Sequence, residues 1–122
     1  MTKVNSFQNI IAWQKAHELV LLVYKITKAF PKCEEYCLKP QVRRCAVSVP
    51  SNIAEGFKRR SKRDSIHFYN IAEASLEELK YQIILSKDLQ YLTSGEFSAA
   101  INLAEEVGRL LNGWLKSQKL FN

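Results

Sequence analysis

The chain has 122 residues, 47% hydrophobic and 25% charged, with a formal net charge of +6. That length suits one domain with one core, and no run approaches the ~18 apolar residues a membrane span needs. The opening MTKVNSFQNIIAWQ has neither an unbroken apolar stretch nor a small-residue cleavage site, so no secretory leader is expected and a cytoplasmic location is the default.

Four segments carry helical periodicity and none sustains period-two alternation. The first, about residues 10–30, sets Ala16, Leu19, Val20, Val23, Ile26, Thr27 and Phe30 on one stripe before Pro31 stops it. The second, about 40–58, opens near Pro40, whose missing N–H is not needed in a first turn. Its inner face reads Val42, Cys45, Val49, Ile53 and Phe57. The third, about 64–91, follows a capping-box-like Ser61-x-x-Asp64 and continues through Ala72, Leu76, Leu79 and Ile83. Phe68, Ile71, Ser75, Leu85 and Leu92 widen that face. The fourth, about 96–116, follows Thr93-x-x-Glu96, with Gly95 expected to ease the turn, and carries two apolar rows. One runs from Ala100 to Trp114, the other from Ile101 to Leu115. Four such helices with short links predict an all-α, antiparallel up-down-up-down four-helix bundle, a single domain over residues 1–122. The double rows are wider than an ordinary core stripe, which points to self-association.

Charge is not spread evenly. Between Lys39 and Arg63 stand eight cations, Lys39, Arg43, Arg44, Lys58, Arg59, Arg60, Lys62 and Arg63, against one acid, Glu55. This segment alone is +7, so the rest of the chain is close to neutral. Within it Pro50 interrupts an apolar pattern that continues from Val49 to Ile53. A proline there costs ~3 kcal/mol in a helix interior and removes the donor to the carbonyl of Ala46. One kinked helix is expected, with Ser51 and Asn52 satisfying freed backbone groups and Glu55 pairing with Arg59 one turn on. This structural reading of Ser51, Asn52 and Glu55 is preferred to a polar active site. Gly56 and the basic run mark the way out of the helix.

Candidates for chemistry are few. Cys33, Cys37 and Cys45 form no CxxC pair, and neither His17 nor His67 stands at metal-binding spacing from them, so no metal or cofactor is expected. Glu73, Glu77, Glu78, Glu105 and Glu106 recur on helices three and four, but no Glu-x-x-His accompanies them. Exposed surface pairs such as Glu77 with Lys80 account for them. With no phosphate-cradling glycine loop and no HExxH or GxSxG, the chain reads as a non-enzyme.

The run Val49-Pro-Ser-Asn-Ile-Ala-Glu-Gly56 resembles the signature of the four-helix-bundle proteins encoded by intervening sequences in bacterial 23S ribosomal RNA genes. Trp13-Gln-Lys-Ala16, Phe30-Pro31, Gln41-x-Arg43-Arg44 and Leu76-Glu-Glu-Leu79 agree with it, and the likeness spans Phe7 to Leu115. Cys37, Lys39-Pro40, Ala74 and Lys80 depart from the usual pattern. The resemblance implies a pentameric ring with a basic surface, similar to the accessory protein of diversity-generating retroelements, which binds nucleic acid and a reverse transcriptase. Fivefold repetition would multiply the basic clusters. The expected function is thus a non-catalytic, oligomeric nucleic-acid-binding protein, RNA ahead of DNA. Its expected binding residues are Arg43, Arg44, Lys58, Arg59, Arg60, Lys62 and Arg63, with Pro50, Ser51, Asn52, Glu55 and Gly56 structural. The alternative is a protein-binding scaffold or accessory factor for a nucleic-acid enzyme such as a reverse transcriptase.

Overall fold

The structure is a computed structural model and describes residues 4–120. It contains α1 (Ile11–Thr27), α2 (Leu38–Lys58), α3 (Lys62–Asp88) and α4 (Ser94–Leu120). Short 3-10 turns at Phe7–Asn9 and Lys32–Glu34 precede α1 and α2, and no strand occurs among the described residues. Each helix packs on two neighbours, α1 on α2, α2 on α3, α3 on α4 and α4 back on α1. The result is a four-helix bundle. Among the described residues no helix is long and apolar enough to cross a membrane.

The core follows the periodic stripes. Leu19, Val23, Val49, Ile53, Leu79 and Ile83 are buried, as are Ala16, Val42, Ala72 and Leu76. Burying each large side chain of this kind stabilises by about 1.5–3 kcal/mol. On α4 the buried seam takes Ala100 and Val107 from one apolar row and Ala104, Leu111 and Leu115 from the other. Ile101, Leu103, Leu110 and Trp114 flank that seam and are half-buried. Much of the surplus width is therefore absorbed inside one bundle. Among smaller differences, Val20 and Phe57 are half-buried rather than fully so.

The helix ends differ from expectation by a few residues, each for a local reason. α1 stops at Thr27 and not near residue 30: Arg43 Nη2 donates to Tyr24 O at 3.2 Å, and Lys28 N turns to Lys25 O and Phe30 N to Thr27 O in tighter turns. Phe30 remains buried against Tyr91, ring centroids 5.2 Å apart. α2 begins at Leu38, two residues early, because Glu34 Oε1 accepts from Leu38 N at 3.2 Å. Pro40 is then the third helical residue.

α3 begins at Lys62 with Ser61 as its cap, Ser61 Oγ accepting from Asp64 N at 3.1 Å. It closes at Asp88 in a Schellman motif: Gln90 N bonds Lys87 O and Tyr91 N bonds Ser86 O. The left-handed residue this motif needs is Gln90, at φ 67°. Gly95 plays no such part and sits in the first turn of α4. Thr93 and Glu96 form a complete capping box, Thr93 N donating to Glu96 Oε1 at 2.9 Å and Glu96 N to Thr93 Oγ1 at 3.1 Å. α4 therefore starts at Ser94, and it runs one turn beyond Lys116.

Candidate nucleic-acid interface

The basic residues singled out in the sequence do not form one surface. α2 rises 1.5 Å per residue, so Arg43 and Lys58 lie about 22 Å apart along its axis. At the first end, Arg43 turns inward to α1. Its Nε donates to Thr27 Oγ1 at 2.9 Å, its Nη2 to Tyr24 O, and its guanidinium lies 4.4 Å from the Tyr24 ring centroid. An arginine on the end of a neighbouring helix satisfies terminal carbonyls and meets the negative pole of that helix. Arg43 is a strap. Arg44, one residue on, is exposed and lines a groove with Ser48, Ser75 and Glu78 on the α3 side.

The middle of α2 is built for contact with α3. The helix runs unbroken through Pro50, which is buried. Asn52 Nδ2 donates to Ser48 O at 2.8 Å and reaches Ser48 Oγ at 3.0 Å. Both bonds thus go to Ser48 and not to the carbonyl of Ala46, where help had been expected. Ser48 Oγ in turn bonds Ser75 Oγ at 2.8 Å, and Cys45 Sγ donates to Ser75 O at 3.1 Å. Burial, with Glu78 nearby, pushes the Cys45 thiol up to about 11. Ser51 is exposed. One turn on, a Cβ at Gly56 would stand 2.6 Å from Tyr69 Cε1 and 3.0 Å from Ser65 O. Gly56 is required because the buried Tyr69 ring packs directly on the α2 backbone. Tyr69 belongs to the core.

The second end of α2 is where cations collect. Arg59 forms the expected ion pair with Glu55 and stacks over Phe68, 4.5 Å from the ring centroid. Lys62 Nζ donates to Lys119 O at 2.7 Å, placing the last turn of α4 on the α2–α3 turn. Lys58, Arg60 and Arg63 are exposed and make no ion pair with the described residues. Lys116 and Lys119 arrive at the same end from α4, and both are exposed. Linear sequence gave no sign of them. Only the bundle topology, which returns the end of helix four to the link between helices two and three, could have pointed there.

His17 stacks on Trp13 at 5.2 Å and His67 packs edge-on to Phe68 at 5.5 Å, on different helices. Cys33 and Cys37 are exposed and Cys45 is buried. Among the described residues no three His, Cys, Asp or Glu side chains gather to hold a metal. Glu73, Glu77 and Glu105 line a groove of about 490 Å³ between α3 and α4, together with Lys80 and Arg109. There Glu77 pairs with Lys80 at 3.0 Å, as its spacing predicts.

Comparison with known proteins matches this architecture. No curated protein matches the chain. A solved structure of a protein of unknown function from the S23 ribosomal protein family of Bacteroides thetaiotaomicron is similar, with a TM-score of 0.79 and 24% identity. The match covers 86% of this chain and 98% of that one, and it shows the fold. Residues 8–113 match the family described as 23S rRNA-intervening sequence protein. With the match extending over most of the bundle, the chain belongs to the 23S rRNA-intervening sequence protein family.

Proposed function

We propose that this protein is a non-catalytic nucleic-acid-binding protein of the cytoplasm, holding phosphate backbone at one end of its bundle, with RNA ahead of DNA and a homopentamer as the working assembly. The supporting observation is that Lys58, Arg60 and Arg63, exposed and in no ion pair with the described residues, lie at the end of the bundle where α4 brings Lys116 and Lys119. Like charges this close repel, and a polyanion relieves the repulsion. Contacts of this kind bind through counterion release, with little reading of base identity. If ~5 phosphates are neutralised, log K falls with log salt at a slope of about −3.5 to −4.5.

The test is the triple variant Lys58→Glu, Arg60→Glu, Arg63→Glu in a gel-shift titration with mixed-sequence RNA. None of these three side chains holds the fold together, so binding is expected to be lost while the oligomer keeps its size. Unchanged affinity would sink the reading. Native mass with and without nuclease treatment reports subunit number and bound nucleic acid together.

A second reading, a scaffold for a protein partner such as a nucleic-acid enzyme, is favoured by one feature. An apolar groove of about 300 Å³ between α1 and α2 is lined by Trp13, Val20, Val47, Pro50 and Ala54. Ile11, Leu21 and Val47 are exposed on the same two helices. Pull-down from the native host separates the readings: recovery of RNA with no stoichiometric protein counts against the scaffold.

A further inference from the structure

A cleft of about 250 Å³ lies where the end of α4 meets the α2–α3 turn. Arg59, Arg60 and Lys62 line it from the turn and Gln118 from α4, with Phe57 and the buried Tyr69 alongside. Its polar side chains, the hydroxyl of Ser65 included, are all able to donate hydrogen bonds, and among the described residues no carboxylate lines it. The larger groove between α3 and α4 is the opposite case. There Glu73, Glu77 and Glu105 face Lys80 and Arg109, so an anion would meet as much repulsion as attraction.

The cleft is also held in shape. Arg59 is fixed by Glu55 and by stacking over Phe68, and Lys62 ties the turn to Lys119 O at 2.7 Å. Arg60 is exposed and makes no ion pair with the described residues, so its planar fork of donors is available. A guanidinium of that kind binds phosphate through two parallel hydrogen bonds.

We infer that this cleft seats one phosphate of the bound nucleic-acid backbone, between Arg60 on the turn and the Gln118 amide on α4. This rests on the nucleic-acid-binding reading above and goes beyond it. It makes α4 part of the interface and replaces a diffuse positive surface with a defined contact.

Two isosteric substitutions separate a seat from a diffuse field. Gln118→Glu puts a negative charge in the cleft, whereas Asn70→Asp adds the same charge at an exposed position on α3 that does not line it. Affinity for a fluorescein-labelled single-stranded RNA of mixed sequence, read by anisotropy at one salt concentration, is expected to fall about tenfold for Gln118→Glu, the scale of one lost charge-assisted hydrogen bond. Asn70→Asp is expected to change it less than about twofold, through screened long-range charge alone. The reverse pair, Gln118→Lys and Asn70→Lys, strengthens binding several-fold only in the first and guards against a folding defect in Gln118→Glu. Equal effects at the two positions overturn the seat and leave the basic-end reading intact. Failure of the unsubstituted protein to bind the RNA overturns that reading itself.

Discussion

Arg43 near the start of α2 and Arg60 just past its end are the same residue type in the same basic segment, put to different uses. Arg43 sits where α1 ends and finds two acceptors, Thr27 Oγ1 and Tyr24 O, with the Tyr24 ring beside its guanidinium. Its donors are engaged in joining two helices. Arg60 sits on a three-residue turn and makes no ion pair with the described residues. A cation is available to a ligand only when the protein has not already supplied its partners. Net charge counted along a sequence cannot see that difference.

The contrast is tested first by nucleic-acid binding. Reversing Lys58, Arg60 and Arg63 together should weaken RNA binding at least about 100-fold at moderate salt. The unfolding free energy from urea denaturation should stay within about 0.5 kcal/mol of the parent, as for surface changes elsewhere. Arg43→Ala should do the reverse, leaving affinity within about threefold. A loss of affinity in Arg43→Ala equal to the triple variant's would erase the distinction between the ends.

The next largest effect concerns how the basic end is held. Gly56→Ala forces a methyl against Tyr69 and Ser65 O and should destabilise by about 1–3 kcal/mol in chemical denaturation, despite better helix propensity. For the strap, Arg43→Ala should cost about 1.5–3 kcal/mol, the range for hydrogen bonds to a charged group. Arg43→Lys should recover little of that, since a lysine cannot bridge two acceptors and stack in the same way.

Between the two ends lies Cys45, whose thiol is held above its ordinary 9.0 at about 11, chiefly by burial. A folded-state value above the unfolded one means the native state holds its proton longer. This contribution is therefore complete below pH about 9 and is lost as pH rises towards about 11. Cys45→Ala should flatten that part of the stability–pH curve, and an unchanged slope would remove Cys45 as its cause. The smallest effect is at Gln90, whose φ of 67° suits glycine better. Gln90→Gly should raise stability by at most about 1 kcal/mol, seen as a small upward shift in Tm, with no change at either end of α2.

Most of the fold was legible in the sequence because helical burial repeats every three or four residues. Leu19, Val23, Val49, Ile53, Leu79 and Ile83 lie inside on that ground alone. The caps were legible wherever the signal was a short motif, as with Thr93 and Glu96 or with Ser61. Helix ends set from a distance were not: Arg43 on α1 and Glu34 at the start of α2 act through contacts that local spacing does not encode. Tyr69 is buried through a contact of the same kind. Its aromatic ring is buried by the missing side chain of Gly56, thirteen positions earlier in the chain.

The basic segment divides the same way. Its composition, the proline within it and the helix around that proline are properties of consecutive residues, so the sequence alone determines them. Which cations are engaged by the fold and which stay exposed was decided only by the tertiary structure. That outcome depends on whether packing brings a carbonyl or hydroxyl within about 3 Å of each charged group. Packing does so for Arg43. At the far end it leaves Lys58, Arg60 and Arg63 exposed and brings in Lys116 and Lys119 from more than fifty residues away.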